Sequence, residues 1–430
     1  MLQALHLAVF IGVLPVQAFV VRESARPCAK MRQHPSSDAS WKVCLTPGEQ
    51  VTGIGVAPFW RKVRVTTGRV GWFPKQVLEA VAPSPATTHP SATVVASVTG
   101  TTPQGDEWLT VHFVDVGQGD GIWIHTADDG IPGNGRFEGR NIVIDGGPND
   151  SDGKTALLDY MQAQAPNGAI IDALIITHPH DDHYPGAEAI LSHYQVREFY
   201  DPGYPTTSTR YRSFRQRVAQ ETADGHPIVQ HIGLSQFGHP DWGSELQVEF
   251  LYAYPGSPTG LGSGNTLVNN ASIVLRIVYG SQSFLFMGDA EGKDRDGDPA
   301  IPKYAEQRLL TSPGPAGLRS TVLKVAHHGS ETSSTVPFIQ AVDPRVVIVS
   351  SGRRKYGTRF LPDASTLQRY CDHSPAIRIY RTDENDAAEH RTRLNDADGD
   401  YIVVRTNGTA LHVDAHSAGL SFTPTTCTSN

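Results

Sequence analysis

The sequence predicts a mixed α/β protein in which a small β-rich unit precedes one large unit of alternating strands and helices. Two observations predict this class. From residue 108 to about residue 416, short apolar runs with the two-residue period of strands alternate with segments of helical period. The chain of 430 residues also contains 41 Gly and 30 Pro, which favours many turns and argues against a helical bundle.

The two periods place the elements of the large unit as follows. Strands are predicted at 110–116, 121–125, 141–145, 170–176, 246–252, 272–279, 283–287, 322–326 and 346–349. Helices are predicted at 155–164, 187–194, 211–221, 303–310 and 364–371. Most strands end just before a polar residue, so the strand ends are where we expect chemistry.

Residues 1–18 are predicted to be a cleaved signal peptide, because the apolar run 5–16 precedes the small-residue site P-V-Q-A. No later segment has about 18 consecutive apolar residues, so no integral membrane segment is expected after cleavage. We therefore expect a secreted protein, or one that is periplasmic or associated with the cell envelope.

Residues 28–81 contain short apolar runs separated by Gly and Pro, and the stretch W-R-K-V-R-V-T-T-G-R-V-G-W-F-P resembles a bacterial SH3-like domain. The resemblance implies a tiny barrel that contacts peptidoglycan or acts as a spacer. Residues 82–106 are rich in Pro, Ser and Thr and predict a linker. The large unit then spans 107–417, and the polar tail 418–430 is expected to be loosely held.

The four cysteines fit an exported protein. They allow three pairings, of which Cys28–Cys44 with Cys371–Cys427 is the most economical, since each pair closes within its own unit. Four free thiols are the alternative. None has Cys-x-x-Cys spacing, which argues against a structural zinc site.

The net charge of −8 argues against a protein that coats nucleic acid by bulk electrostatics. It does not exclude a nuclease, because a groove can be locally basic and metal ions supply positive charge. Composition therefore leaves the substrate open.

The segment Thr177–His183, which reads T-H-P-H-D-D-H, follows a predicted strand and combines three histidines with two aspartates. Imidazole and carboxylate are ligands of Zn²⁺, Mn²⁺ and Fe sites. His178 and His180 stand two positions apart, so in an extended loop they point the same way and can hold one ion. Asp182 and His183 follow and can hold a second. A solvated polar turn is the alternative, and the accompanying motifs disfavour it.

Five further segments accompany this loop in a fixed order: F-V-D-V-G-Q-G-D (113–120), I-V-I-D-G-G (142–147), N-N-A-S (269–272), F-M-G-D-A-E (286–291) and V-A-H-H-G-S (325–330). The ordered set resembles the metallo-β-lactamase-fold hydrolases. More narrowly, it is similar to their competence-type branch, which includes the hydrolase domain of the DNA-uptake channel and the teichoic-acid phosphorylcholine esterases. The resemblance implies an αββα four-layer sandwich after the SH3-like barrel.

The resemblance also implies residue roles. The implied metal ligands are His178, His180, Asp182, His183, Asp289 and His328. Asp289 would bridge two ions, and Asp145 would brace the histidine loop by hydrogen bonding. Asp182 and His327 are the expected catalytic residues, since either can manage a proton beside the ions. The expected substrate contacts are Asn270, Ser330 and Tyr356.

The chain departs from the family pattern in two places. Many members have a further histidine ligand between the histidine loop and the bridging aspartate, and none of the histidines there stands in a matching context: His193, His226, His231 and His239. Asn270 is expected nearby instead, so the first ion should be the more easily lost. Close relatives also carry Tyr-Gly-His-Pro where this chain has Tyr356-Gly357-Thr358-Arg359.

These observations predict an exported dinuclear hydrolase with two divalent metal ions, Zn²⁺ being the expected metal and Mn²⁺ or Fe the alternatives. The preferred reaction is phosphodiester hydrolysis, nuclease-like, by a hydroxide that bridges the metals. The alternatives are a phosphorylcholine or other ester hydrolase acting on cell-envelope polymers, and a non-catalytic cell-wall-binding protein. A monomer is expected.

Overall fold

The computed structural model describes residues 108–129, 137–149, 154–164, 169–352, 354, 356, 358–383, 401–417 and 427, and the backbone of the strands at 18–80 and 420–426 that are named below. The chain divides into two compact units, residues 1–100 with 418–420 and residues 101–417 with 421–430. The predicted signal peptide before Ala18, the linker 82–106 and the Cys28–Cys44 pair lie outside the described residues.

Within the described residues, the first unit is a seven-stranded antiparallel sheet of order β3-β2-β6-β5-β4-β1-β7. Its strands are β1 Ala18–Val21, β2 Ala29–Arg32, β3 Trp41–Leu45, β4 Gln50–Ala57, β5 Trp60–Val65, β6 Val70–Pro74 and β7 Leu78–Ala80. The SH3-like assignment remains a prediction, since no side chain of this unit is described.

The second unit alternates strands and helices, as the sequence predicts. Its strands are β8 Leu109–Val114, β9 Gly121–His125, β10 Asn141–Gly146, β11 Ile171–Ile175, β12 Val196–Asp201, β13 Thr222–Ala223, β14 His226–Pro227, β15 Val229–Ile232, β16 Leu246–Tyr252, β17 Val274–Tyr279, β18 Gln282–Phe286, β19 Val322–Lys324, β20 Val346–Val349, β21 Arg378–Arg381, β22 Tyr401–Thr406, β23 Leu411–Ser417, β24 Leu420–Ser421 and β25 Thr425–Thr426. Its helices are α1 Ala156–Gln164, α2 Ala187–His193, α3 Thr209–Val218, α4 Asn265–Asn269, α5 Tyr304–Thr311, α6 Pro315–Leu318, α7 Val336–Val342 and α8 Ala364–His373.

Two large sheets form the middle of this unit. Among the described residues, one has nine strands in the order β15-β12-β11-β10-β9-β8-β22-β23-β24, and the other has seven in the order β16-β17-β18-β19-β20-β21-β25. Alternate side chains of both sheets meet in one buried core, represented by Ile122 and Ile144 on one side and Phe284, Phe286 and Ile348 on the other. The two-residue period of the strands therefore places one apolar face of each sheet against the other.

The opposite face of each sheet is covered by helices. Leu174 of the nine-stranded sheet packs in a cluster with residues of α1, α2 and α3, including Met161 and Phe214. Leu323 of the seven-stranded sheet packs in a cluster with residues of α5, α6, α7 and α8, including Phe338. The layers are thus helices, sheet, sheet and helices, which is the four-layer arrangement expected from the sequence.

Several elements are absent from the sequence prediction. Strand β12 reads V-R-E-F-Y-D and α7 has only seven residues, so neither shows a long apolar period. Strands β21, β22 and β23 and helix α4 were also not predicted. Strand β19 ends at Lys324, earlier than the predicted 326.

The tail contradicts the expectation that it is loosely held. Strand β25 pairs antiparallel with β21, and Cys427 forms a disulfide with Cys371 of α8, as the most economical pairing predicts. Residues 425–427 are therefore fastened to the seven-stranded sheet.

Parallel strands bring the polar motifs to one edge. Strand β10 runs parallel to β11, and β18, β19 and β20 run parallel to one another. The carboxyl ends of these strands meet at the same edge of the sandwich, where the segments after β11, β18 and β19 carry histidine and aspartate. No helix in the described part of the chain is long and apolar enough to cross a membrane.

Candidate metal centre

The Thr177–His183 loop leaves β11 and lies between the two sheets at their shared edge. Thr177 accepts a hydrogen bond through its carbonyl oxygen from Ile273 N at 2.9 Å, which ties the loop to the start of β17. A Cβ at Gly119 would lie 2.1 Å from Asp182 O, so only glycine allows the preceding turn to approach the loop this closely. The loop is therefore clamped from both sheets.

The first group of candidate ligands consists of His178, His180 and Asp289, whose ligand atoms lie within 4.8 Å of one another. His178 Nε2 lies 3.0 Å from His180 Nδ1 and 3.7 Å from Asp289 Oδ2. His178 is fully buried, whereas His180 is partly exposed. The two-residue spacing thus brings both imidazoles to one point, as the sequence predicts.

The second group consists of Asp182, His183 and His328, again within 4.8 Å. His328 Nε2 lies 3.6 Å from Asp182 Oδ2 and 3.5 Å from Asp289 Oδ2. His183 Nε2 lies 3.3 Å from Asp289 Oδ1. The Asp289 carboxylate therefore faces both groups, which is the position required of a bridging ligand.

Three polar atoms at the centre of the cluster are buried without a hydrogen-bond partner among the described residues: His183 Nε2, His328 Nε2 and Asp289 Oδ1. Leaving a buried polar atom unpaired costs roughly 1–3 kcal/mol. A cation at this point would satisfy all three atoms at once. Mixed imidazole and carboxylate donors suit Zn²⁺, Mn²⁺ or Fe, so the residues fit the divalent ions that the sequence predicts.

The two groups differ in protonation. Burial opposes the charging of His183 and His328, but the surrounding carboxylates, Asp289 foremost, together outweigh it, so that the pKa of His328 rises to about 10 and that of His183 rises well above its usual value. In the first group, burial lowers the pKa of both His178 and His180. Protonated His183 and His328 therefore place positive charge at the point that a metal cation would occupy.

Comparison with known proteins assigns the chain to a family. Residues 136–353, about half of the chain, match the family model of the metallo-beta-lactamase superfamily. The chain belongs to the metallo-beta-lactamase superfamily. Members of this superfamily are generally metal-dependent hydrolases.

Relatives within the superfamily are distant. ComE operon protein 3 of Bacillus subtilis is 27% identical over 294 residues, which cover 65% of this chain and 33% of that protein. Recombination protein 2 of Haemophilus influenzae is 27% identical over 260 residues, which cover 60% of this chain and 26% of that protein. The metallo-beta-lactamase fold protein YhfI of Bacillus subtilis is 13% identical with a TM-score of 0.31, over 56% of this chain and 85% of that one. The chain spans between about a quarter and a third of the length of the two curated relatives.

Asp145 lies behind the histidine loop of this superfamily member, where the sequence predicts a brace. Its Oδ2 is 2.8 Å from His183 Nδ1 and accepts from Thr177 Oγ1 at 2.6 Å, while its Oδ1 accepts from Thr177 N at 2.8 Å. Burial raises the pKa of the Asp145 carboxyl, although His183 opposes that rise. The brace fixes which ring nitrogen of His183 faces the centre of the cluster.

Asp120 belongs to the same cluster and was not predicted as a site residue. It is buried together with Lys324, with which it forms an ion pair, and its ligand atoms group with those of His183 and Asp289. Asp120 ends the F-V-D-V-G-Q-G-D segment, but its partner Lys324 lies 204 residues further along the chain. Local spacing therefore could not reveal the pair.

His327 lies beside the cluster, not within it. Both His327 and His328 adopt left-handed backbone conformations, with φ of 50° and 51°. His327 Nδ1 lies 3.0 Å from Thr332 Oγ1 and 3.2 Å from Glu291 Oε1, and its side chain is 24% exposed. The turn thus sends His328 inward and leaves His327 partly exposed, while the catalytic role of His327 stays a prediction.

Glu291 and Asn269 complete the surroundings of His327 and were not predicted. Asn269 Nδ2 donates to Glu291 Oε1 at 2.8 Å and lies 3.4 Å from His327 Nε2. Asn269 begins the N-N-A-S motif, and Glu291 ends the F-M-G-D-A-E motif. The amide that faces His327 is therefore that of Asn269, one position before the predicted Asn270.

Asn270 and Ser330 do not line an open surface, which corrects the prediction. Asn270 is fully buried; its side-chain oxygen accepts from Glu291 N at 2.9 Å, and its side-chain nitrogen donates to Thr266 O at 2.9 Å. Ser330 is also fully buried, where it accepts from Arg295 Nη2 at 3.1 Å. The hydrogen bonds of both side chains therefore hold neighbouring loops in place.

Tyr356 lies at the edge of the site, as the sequence predicts. Its hydroxyl is 3.4 Å from Asp182 Oδ2, and its side chain is 40% exposed. The backbone of Tyr356 exchanges two hydrogen bonds with that of Arg359, at 2.8 and 3.0 Å, which closes a tight loop. The phenol is therefore held over the second group.

The other histidines between the loop and Asp289 are not part of the cluster. His193 lies 3.0 Å from Gln162 Nε2, and the ring of His231 stacks on Tyr200 with centroids 4.4 Å apart. Within the described residues, none of the four histidines of this interval joins either ligand group. The first group therefore has no third imidazole from this interval.

Proposed function

We propose that this chain is a metal-dependent phosphodiesterase that cleaves a polyanionic phosphodiester, in the manner of a nuclease. The cluster described above would hold the ions, with His178, His180 and Asp289 around one and Asp182, His183, His328 and Asp289 around the other. When bound, two divalent ions supply Lewis-acid polarisation and an activated water.

The observation that carries the proposal is a basic rim, formed by Arg210, Arg354 and Arg359, beside the candidate metal centre. Arg210 Nη1 is 3.9 Å from Asp181 Oδ1 at the tip of the histidine loop. The guanidinium of Arg354 lies 5.3 Å from the ring centroid of Tyr356, which itself reaches Asp182. Both segments of the rim therefore adjoin the same loop.

The cations of the rim are poorly neutralised. Arg354 and Arg359 are exposed and have no acidic partner among the described residues, and Arg210 has only its long contact. In the sequence, two more cations, Arg353 and Lys355, flank Arg354. In a chain of net charge −8, unpaired positive charge next to a hydrolytic site favours an anionic substrate.

Tyr356 adds a stacking surface to this rim. It is an exposed aromatic side chain whose ring lies beside a guanidinium, and base-aromatic stacking is a common mode of single-strand binding. Arginines would bind phosphate oxygens while Tyr356 contacts a base. This combination favours single-stranded nucleic acid over other polyanions.

His327 is the group that we assign to proton transfer to the leaving oxygen. Its Nδ1 is engaged by Thr332 and Glu291, and the side chain is 24% exposed, so Nε2 is the nitrogen that would exchange the proton with a substrate. Asp182 is less suited, because the contacts with His328 and His183 overcome the effect of burial and hold the pKa of its carboxyl far below the usual range. An anion of that kind binds cations well but is a weak base.

The test is hydrolysis of bis-p-nitrophenyl phosphate, single-stranded DNA and RNA, with and without added Zn²⁺ or Mn²⁺. We expect metal-dependent turnover of at least one of them. Replacing both Arg354 and Arg359 by Gln should raise KM for single-stranded DNA and lower the slope of log KM against log salt by about 1.4, at about 0.7 per phosphate contact. Hydrolysis of bis-p-nitrophenyl phosphate should be unchanged.

Arg319 and Arg345, which precede β19 and β20 and so lie at the end of the sheet away from the candidate metal centre, provide the matched control. Their double replacement by Gln removes the same charge and should leave KM for DNA unchanged. Inactivity on all three substrates with either metal overturns the proposal. Equal effects of the two double variants would show that the rim is not the binding surface.

A second candidate function is hydrolysis of cell-envelope polymers such as phosphorylcholine-bearing teichoic acid. The observation that favours it is the separate antiparallel β unit at the N-terminus, together with its predicted SH3-like character. Release of choline phosphate from such polymers, without cleavage of DNA or RNA, would favour this candidate. Binding to cell walls by a protein that elemental analysis finds free of metal would favour a non-catalytic role.

We also propose that the protein works outside the cytoplasm, in the cell envelope or secreted. The apolar run 5–16 and the Cys371–Cys427 disulfide support this location, since disulfides persist in oxidising compartments. Fractionation of expressing cells should find the oxidised protein in the envelope or the medium. Recovery only of reduced protein from the cytosol would contradict it.

A further inference from the structure

A buried ion pair between Asp120 and Lys324 connects the two sheets directly behind the second group. Asp120 precedes β9 in the nine-stranded sheet, and Lys324 ends β19 in the other. Each side chain is 1% exposed, and Lys324 Nζ donates to Asp120 Oδ2. A buried pair of this kind is weak evidence for stability alone, because burial costs both charges their hydration.

The carboxylate faces the rear nitrogens of two imidazoles. Asp120 Oδ1 is 3.4 Å from His328 Nδ1, and Asp120 Oδ2 is 3.9 Å from His183 Nδ1. The opposite nitrogens of the same rings, both Nε2, face Asp289 and Asp182. Asp120 thus stands on the side of the rings away from the centre of the cluster.

The turn that carries Asp120 is fixed against the histidine loop. Asp120 N donates to Asp182 O at 3.3 Å, and the close approach at Gly119 brings the two backbones into contact. Gly117 N donates to Asp115 Oδ1 at 2.8 Å, which closes the turn. A carboxylate anchored in this way cannot move without moving the loop.

The direct hydrogen-bond acceptors of His183 Nδ1 and His328 Nδ1 are Asp145 Oδ2, at 2.8 Å, and Ser350 O, at 2.9 Å. We propose that Asp120, held in place by Lys324, is a positioning residue whose buried negative charge supports the imidazoles of His183 and His328 from behind, in addition to these acceptors, and raises the affinity of the second group for its cation. The inference rests on the proposed function only in that the second group must hold a metal ion. Asp145 braces one imidazole of the group, whereas Asp120 lies behind both.

Two other interpretations fit less well. As a direct metal ligand, Asp120 would share its ion with the Nδ1 atoms of the neighbouring rings, and those atoms are already hydrogen-bonded to Asp145 and Ser350 O. If the Asp120–Lys324 pair served only the stability of the fold, its carboxylate would not need to lie beside two imidazoles. The Nε2 atoms of those imidazoles converge on the centre of the cluster. The geometry therefore favours the brace.

The experiment measures Zn²⁺ affinity of the full chain by competition with a chelator, and the absorption spectrum of the Co²⁺-loaded protein. Asp120→Asn should weaken Zn²⁺ binding about tenfold, at the low end for a residue that supports a histidine ligand, because the acceptors Asp145 and Ser350 remain in place. The Co²⁺ absorption bands should also change, because the ring orientations do. Neither readout depends on activity.

A second variant guards against loss of folding. Asp120→Asn combined with Lys324→Met leaves no unpaired buried charge, and replacement of a whole buried ion pair is often neutral for stability. We expect this variant to show the same loss of Zn²⁺ affinity as the single one. If either folded variant binds Zn²⁺ and Co²⁺ as the original chain does, the inference is overturned.

Asp172→Asn is the matched control. Asp172 accepts from Arg197 Nη1 at 2.6 Å and from Asn141 N at 2.8 Å, at the end of β11 away from the histidine loop. Its replacement should lower stability and leave Zn²⁺ affinity unchanged; an equal loss of affinity in this variant would count against a specific brace. Failure of the original chain to bind any metal would instead contradict the proposed function.

Discussion

The first and second ligand groups differ in what lies behind their imidazoles. In the second group, His183 Nδ1 is 2.8 Å from Asp145, and His328 Nδ1 is 2.9 Å from Ser350 O. In the first group, His178 Nδ1 has Thr177 Oγ1 at 3.1 Å, and the contact of His180 is with His178 itself. Anionic and carbonyl acceptors therefore orient the second group, whereas a hydroxyl supports the first.

This difference predicts unequal metal sites. A histidine whose rear nitrogen is bonded is already turned toward the metal, so less orientation is lost on binding. His180 is also the most exposed histidine of the cluster, which gives it more freedom to move. We therefore expect the second group to bind its ion more tightly than the first.

The largest effect should come from the residue that both groups share. Asp289→Asn removes negative charge from both, and loss of several kcal/mol of charge stabilisation corresponds to a fall in hydrolysis of about 1000-fold. Elemental analysis should find less than one metal per chain. Retention of two ions by this variant would show that the groups do not share a ligand.

The next largest effect should distinguish the first ligand group from the second. His180→Ala should keep about one ion per chain, because the second group is intact, whereas His183→Ala should keep less than one. Metal content after dialysis measures this difference. The two variants are compared at equal helix content, so that loss of metal does not reflect unfolding. The reverse order would show that the first group is the tighter site.

Acid should weaken the second group more than the first. Despite burial, carboxylates raise the pKa of His328 to about 10, so a cation must displace a proton at neutral pH; the pKa values of His178 and His180 are lowered, so those rings are already neutral. Affinity of the tighter site should fall at least about tenfold per unit between pH 8 and pH 6. Calorimetric titration across this range, with the weaker site as the internal reference, measures the slope; a slope of zero for the tighter site would contradict the assignment.

The smallest effect should come from the brace behind His183. Asp145→Asn leaves a hydrogen-bonding side chain but removes its charge, and should weaken the tighter site about tenfold, at the low end for such residues. The weaker site should change little. Thr177→Val removes a hydroxyl that contacts both Asp145 and His178, so it should weaken both sites to a similar degree.

Much of the site could be predicted because its ligands follow strands. The period of two residues predicts the end of β11, and the histidine loop follows directly, so His178 and His183 could be assigned from spacing alone. Asp289 and His328 required the order of motifs along the chain. Their distances to His183 and Asp182 depend on parallel strands, which sequence spacing does not give.

The residues that escaped prediction depend on long-range contacts or on small shifts in register. Lys324 pairs with a residue from the other sheet, and nothing near it in sequence indicates this. Asn269 and Asn270 are adjacent, and the short helix α4 decides which one faces His327. A glycine-rich stretch precedes that helix and hides its period, so the choice could not be made from the sequence.

The fastened tail has a consequence for solubility. Strand β25 covers the outer edge of β21 with only two residues and is fixed by the disulfide that follows it. A very short outermost strand offers few free peptide groups for pairing with another molecule, which protects a sheet from edge-to-edge association. Reduction of Cys371–Cys427 releases this cover, so a reducing environment exposes β21 as a template on which copies of the chain can pair.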